Sequence, residues 1–390
     1  MPDSPTPRRR RLSLTAIAGV ILFVTTTLTV PHIWCGRDAG SWYRGDIGRQ
    51  QALGSSVEAW VAKDLHRAAF HTGSSEFNGE WLLMTYQLAV LGFGQTAREH
   101  PTLAPHNLSI IERCNDRLVG VDMRAFDTEA WNVDALTDTN VDHGHLGYLG
   151  YTNVALSYER LLAPAGPHAA MNDRFTKELM RRFKASKTGL VETYPEQTYP
   201  TDNCVAMASI ALHARATGNG AELAFVHNWA STFRRRYVDP RSGLLYQSVD
   251  SDTGDPGAPR ASGTLFSAYF LSFVDIDLSR DLFRAVQRGQ VTHVAGFGAI
   301  REYPAGSDGG AGDVDSGPVI FGLSTSGTAF ALASARIHHD DALYRDLYST
   351  LYLVGAPVHR GTRQTFALGG PLGDALLFAL LTAQASEETP

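Results

Sequence analysis

Residues 189–209 read GLVETYPEQTYPTDNCVAMAS. Two Tyr-Pro steps, Tyr194-Pro195 and Tyr199-Pro200, exclude a helix from the first half and push the residue before each proline toward extended geometry. Beyond Pro200 the pattern turns helical. Thr201 or Asp202 can cap a helix that carries Val205, Met207, Ala208, Ile210 and Leu212 at helical spacing. The stretch is a polar loop delivered to the N-terminus of a helix that is apolar on nearly every side. It brings two carboxylates, Glu192 and Asp202, to a place where the helix dipole favours negative charge. The plainer account of the same residues is a solvated loop acid and an N-cap.

A helix apolar all round has to be surrounded by others. The chain holds six such segments, rich in Gly, Ala and Ser, at 79–97, 144–162, 202–217, 263–274, 316–337 and 370–382. They recur about every 50 to 65 residues. Six charged, amphipathic segments alternate with them, at 55–71, 107–123, 169–184, 220–237, 278–290 and 340–354. Six helical hairpins closed on themselves predict an all-α (α/α)6 toroid of six inner and six outer helices over 55–384, with an open α-solenoid as the competitor. Small residues such as Gly322 to Gly327 then serve close inner-helix packing, and GLLYQSV at 243–249 suggests a short strand at a rim.

All inner helices of such a toroid start at one mouth, where the irregular loops at 72–78, 128–143, 189–201, 250–261, 293–315 and 359–369 converge. Function concentrates on loops carried by a rigid scaffold. These loops bring a surplus of acids and aromatics, including Glu76, Glu80, Trp81, Asp134, Asp138, Asp142 and His143. The expected catalytic groups are Glu192, Asp202 and His145. Tyr148, Tyr194, Tyr199, Trp131, Glu302, Tyr303 and Asp315 are expected to line a substrate site. Carboxylates crowded in a partly apolar cup push each other's pKa apart, so one can act as acid and another as base.

The chain has 390 residues, 44% hydrophobic and 19% charged, with a net charge of -6, which disfavours a nucleic-acid partner. The dense basic run Arg8–Arg11 precedes LSLTAIAGVILFVTTTLTV at 12–30, about the length needed to span a bilayer. Residues 1–11 then form a cytoplasmic tail, 12–30 a signal-anchor or a cleaved signal peptide, and 31–54 a linker. The toroid is expected outside the cytoplasm. Cys35, Cys114 and Cys204 are too few for a disulfide framework and lack metal spacing. Asp142-His143-Gly144-His145 has two possible metal ligands but no evident third, so no metal or other cofactor is expected. A calcium loop at 308–315 competes there with simple helix capping. No Gly-x-Ser-x-Gly elbow, P-loop or dinucleotide fingerprint stands in a credible context.

Gly144-His145-Leu146 opens one apolar segment. Gly189-Leu190-Val191-Glu192, Asp202-Asn203-Cys204-Val205-Ala206 and Tyr237-Val238-Asp239-Pro240-Arg241-Ser242-Gly243 follow in that order. An acidic, Gly-rich loop then precedes 316–336. Over roughly 75–355 this pattern resembles the linalool dehydratase/isomerase family, six-hairpin-glycosidase-like in shape. The resemblance implies an (α/α)6 enzyme that adds or removes water at a terpene alcohol and shifts its double bond. His145 matches the family's active-site histidine in its context. The family's two cysteines fall near Glu192 and Asp202, where two proton-carrying groups of different polarity stand instead. Three functions compete: a hydro-lyase or isomerase acting on an alcohol, a glycoside hydrolase using the same carboxylates, and a non-catalytic, membrane-tethered binding toroid.

Overall fold

The computed structural model describes residues 14–307, 309, 310, 312 and 317–384. Arg8–Arg11, Asp315 and most of the 308–315 acidic loop lie outside the described residues. The chain opens with α1 (Leu14–Gly36), α2 (Ala39–Tyr43) and α3 (Ile47–Val61), followed by the long α4 (Ser75–Glu99). Next come α5 (Ala104–Leu118), the short α6 (Ala125–Trp131), α7 (Leu146–Leu162) and α8 (Ala169–Ala185). Then follow α9 (Pro200–Thr217), α10 (Gly220–Tyr237), α11 (Ala261–Leu271) and α12 (Ile276–Gly289). Strands β1 (Val291–Val294), β2 (Phe297–Arg301), β3 (Val319–Ile320) and β4 (Leu323–Ser324) form one antiparallel sheet in the order β1-β2-β4-β3. After α13 (Thr325–Ile337) and α14 (Asp341–Gly355), a hairpin of β5 (Pro357–Arg360) and β6 (Arg363–Phe366) leads into α15 (Gly370–Leu381).

Six of these helices, α4, α7, α9, α11, α13 and α15, each pack on the next, and α15 returns to α4. That closed ring is the inner wall of an (α/α)6 toroid, and α3, α5, α8, α10, α12 and α14 pack outside it. The sorting follows composition. From Leu146 to Glu159 every residue of α7 is buried, whereas α8 and α12 bury a single stripe and, Arg182 of α8 apart, keep their charges off it. Gly150 lets α7 approach α9 closely; a Cβ there would stand 3.1 Å from that of Ala206.

The far end of the ring is plugged. Tyr269 on α11 donates its hydroxyl to Gln95 on α4, the helix opposite, at 2.9 Å. The Gln95 amide in turn donates to Ala379 O and Thr382 Oγ1 beside α15. At the other end, partly accessible side chains persist for the first turns of several inner helices: Glu76, Glu80 and Met84 on α4, Asp202 on α9, Ala329 on α13 and Leu376 on α15. The toroid therefore offers a mouth on one side and a floor on the other.

Several expectations differ from the structure. Residues 31–54 are not a linker: they complete α1, form α2 and begin α3, and Trp42 and Leu53 are wholly buried. His32 of α1 pairs with Asp346 of α14 at 3.2 Å, and Arg37 stacks on Trp34 and Tyr352. The span 316–337 is not one helix, because β3 and β4 precede α13 and Gly322 sits in the turn between them. The 293–315 loop is in part the β1–β2 hairpin, closed by a two-residue turn at Ala295-Gly296 with φ of 52° and 88°, the mirror-image turn that suits twisted strands. Residues 243–249 make single bridges rather than a strand. Cys35, Cys114 and Cys204 are buried and unlinked. Helix α1 is long and apolar enough to cross a membrane by length and composition.

Candidate active site

The opening loop folds as a tight reversal. Gln197 N–H donates to Tyr194 O at 2.9 Å, with Pro195 leading and Glu196 at φ 63°. Proline first and a left-handed residue second is the arrangement of a type II turn. The reversal sends the Tyr194 ring inward, where its hydroxyl donates to Glu80 Oε2 of α4 at 2.9 Å. Burial, with Glu80 next in weight and then Asp202 and Glu76, pushes the Tyr194 phenol well above its ordinary range. The Tyr194 phenol thus feels three carboxyl groups at the mouth, Glu80, Asp202 and Glu76.

Asp202 is the centre of this group, and it is not a cap. Pro200 starts α9, Tyr199 holds the N-cap position without a side-chain bond, and Asp202 lies one residue beyond Thr201. Its Oδ1 accepts the hydroxyl of Tyr151 and its Oδ2 that of Thr193, each at 2.7 Å. Burial pushes its carboxyl up, and the two hydroxyl bonds offset part of that rise. Glu76 is raised by burial alone. A carboxyl that retains its proton above the usual range, beside a second carboxylate held by a phenol, is an acid–base pair in the making.

Glu192 stands elsewhere. Its carboxyl is raised first by burial, it bonds Ser251 and the Glu196 backbone, and the charges near it are Asp252 and Glu196. Thr193 turns its hydroxyl to Asp202, whereas Glu192 serves the rim, so the two acids share no partner. His145 has no accessible surface. Both its ring nitrogens face carboxylates, Asp127 and Asp138, and the Trp131 ring lies 5.0 Å away. Its imidazole presents no atom to the cup.

The expected substrate residues divide. Tyr194 is in the cup. Tyr148 faces outward, its hydroxyl bonded to Leu118 O and its ring against Phe175. Trp131 covers His143 and His145. Tyr199 sits at the rim with its hydroxyl on Gln197. Glu302 is buried and takes Arg260 Nε at 2.8 Å and the Ser262 hydroxyl at 2.6 Å, and Tyr303 lies over Arg260. Tyr151 and Thr193 escaped the sequence reading. Tyr151 lies three residues past Tyr148 in a uniformly apolar helix, and only the crossing of α7 and α9 decides which tyrosine turns inward.

Fold and site together define an (α/α)6 toroid with a cup in its mouth that Asp202, Glu80 and Tyr194 line. No protein family and no curated protein matches the chain. Solved structures resemble it. One is a family 105 glycoside hydrolase of C. acetobutylicum, at 12% identity over 77% of this chain and 92% of that one, with a TM-score of 0.47. An α-1,6-mannanase of a Salegentibacter species is 11% identical over 87% of this chain and 98% of that one, with a TM-score of 0.47. A cellobiose 2-epimerase of Bacillus thermoamylovorans is 9% identical over 77% and 87%, with a TM-score of 0.47. None of the three places a catalytic residue on this chain. The resemblance to the linalool dehydratase/isomerase family is carried by the quoted motifs alone.

Proposed function

We propose that the chain is an enzyme of the hydro-lyase or isomerase type, making or breaking a C–O bond of a small alcohol in the toroid mouth. The observation that supports this reading is Asp202, whose raised carboxyl is cradled by two hydroxyls beside the Tyr194–Glu80 pair. Protonated Asp202 gives its proton to the substrate hydroxyl, and the C–O electron pair leaves with the oxygen as water. Glu80 takes the proton from the adjacent carbon, whose C–H electrons become the new double bond. Tyr194 holds Glu80 and, with its pKa pushed up, stays protonated throughout. Solvent then returns a proton to Asp202 and removes one from Glu80. Neither His145 nor Glu192 has a part in these steps.

The test is a substrate panel offered to the full chain in detergent: tertiary and allylic alcohols, their dehydrated products in water, and chromogenic glycosides. Loss or gain of water at an alcohol is the expected result. Glycoside cleavage without dehydration would put a glycoside hydrolase in its place, and binding without turnover would leave a non-catalytic toroid.

The same proposal includes an anchor, with the N-terminal arginines cytoplasmic and the toroid outside, since basic residues flanking a first apolar span stay inside. Protease added to intact cells or spheroplasts should degrade the toroid. Cleavage seen only after lysis would reverse that orientation.

A further inference from the structure

The Asp142-His143-Gly144-His145 motif has no place in the acid–base cup, yet the fold builds a separate cluster around it. His143 Nδ1 lies 2.6 Å, and His145 Nε2 3.1 Å, from the same atom, Asp138 Oδ2. These three ligand-type atoms lie within 4.8 Å of one another, and no other such group of His, Cys, Asp or Glu occurs among the described residues. The remaining nitrogen of His145, Nδ1, stands 2.6 Å from Asp127 Oδ2, and neither of those side chains is accessible. Metal-bound imidazoles are held in this way: a carboxylate takes the remote N–H, which fixes the tautomer and aims the other nitrogen at the ion.

The scaffold around the cluster is stiff on one side and open on the other. His145 has φ 50°, a left-handed conformation that persists in a non-glycine residue only where its surroundings impose it. The buried Arg182 donates to the carbonyls of Asn140 and His143, and so pins the loop that carries two of the three groups. The Trp131 ring lies 5.3 Å and 5.0 Å from the two imidazoles. His143 keeps 37% of its side chain accessible, which leaves a route for an ion and for water. Two carboxylates converge here, and Arg182 behind them is spent on backbone carbonyls and Glu178.

We infer that Asp138, His143 and His145 form a binding site for a first-row divalent metal ion of the zinc class. Imidazole with carboxylate is the donor set such ions take. Bonds of about 2.0–2.1 Å to a tetrahedral ion put neighbouring ligand atoms about 3.3 Å apart. From the observed 3.1 Å the His145–Asp138 spacing opens by about 0.2 Å, and from 2.6 Å the His143–Asp138 spacing opens by about 0.7 Å, which rotation of the half-exposed His143 supplies. Three protein ligands leave a coordination position for water. The ion staples residues 138–143 to the start of α7, and Asp127 orients its buried ligand. The sequence offered His143 and His145 without a third ligand; the fold brings Asp138.

The experiment uses the full chain in detergent, stripped with a chelator and titrated calorimetrically with ZnCl2. Co2+ is then substituted for its visible absorption bands. One Zn2+ per chain is the expected result. His143→Ala, at the accessible ligand, should keep the helical circular dichroism of the wild type and lose at least tenfold in affinity. Asp127→Asn should weaken binding by about 10- to 100-fold, the usual cost of removing an outer-shell carboxylate. A folded wild type that takes up no stoichiometric Zn2+ would overturn the assignment, as would His143→Ala with unchanged affinity. The cluster would then be a hydrogen-bonded relay only.

Discussion

Asp202→Asn should leave the toroid folded and lower turnover by about 10²-fold or more, the usual scale for a general acid. That factor corresponds to about 2.7 kcal/mol of barrier. Asn keeps one acceptor for the Tyr151 or Thr193 hydroxyl, and the other hydroxyl can rotate to accept from the new amide, so the α7–α9 tie survives. What vanishes is the exchangeable proton. Tyr151→Phe provides the companion test. The Tyr151 hydroxyl bonds the ionised carboxylate and so lowers its pKa. Removing it raises that pKa further, and the alkaline limb of activity should move to higher pH, which a purely structural tyrosine would not do. The stability sign is consistent with this. Because the folded-state pKa of Asp202 is raised, its contribution to stability is fully present below the ordinary aspartate value and is lost as pH rises through the raised one. In Asp202→Asn that part of the pH dependence should disappear. Wild-type turnover in Asp202→Asn would show Asp202 to be an interhelix tie and nothing more.

Gly144→Val should be the most damaging single substitution for folding, costing more than about 3 kcal/mol, above the usual range for overpacking. Gly144 was expected within an inner helix; it lies two residues ahead of α7, packed on the backbone of Glu192. A Cβ there would stand 1.8 Å from the Glu192 carbonyl oxygen and 2.6 Å from its carbon. Main chain cannot step aside as a side-chain tip can, and the same carbonyl accepts the Leu146 N–H at 3.2 Å. The adjoining Thr193 and Tyr194 would lose their places at Asp202 and Glu80, so activity should fall together with melting temperature. Gly322→Leu provides the contrast. Gly322 has φ +79° with nothing within 4 Å of a built Cβ, so its cost is backbone strain of about 1–2 kcal/mol rather than overpacking. Thermal unfolding of both variants checks the pair, and Gly144→Ala melting with the wild type would refute the contact.

The alternation of all-apolar and amphipathic segments was enough to read the toroid, because which faces a helix must bury is written in local spacing. The ends of those segments were less legible. In 316–324 a short β-turn-β unit with Gly322 reads much like the small-residue start of a helix, and 31–54 is too polar to announce that Trp42 and Leu53 are core.

Sequence by itself determined the helical pairs, the apolar helix α1, the loops that meet at the mouth and the proline-braced loop that leads into α9 and Asp202. The tertiary structure alone decided which acids face each other. Thr193 reaches Asp202 while its neighbour Glu192 turns to Ser251, and Tyr151 rather than Tyr148 enters the cup. His145 is walled in by Asp127 and Asp138, 18 and 7 residues before it. The first is set by the alternation of an extended loop, the last by the turn that leads into α7, and the choice between the two tyrosines by the rotation of α7 against its neighbours. At 100° per residue, a step of one or two positions moves a side chain from axis to exterior, and that rotation is set by the packing of the closed ring.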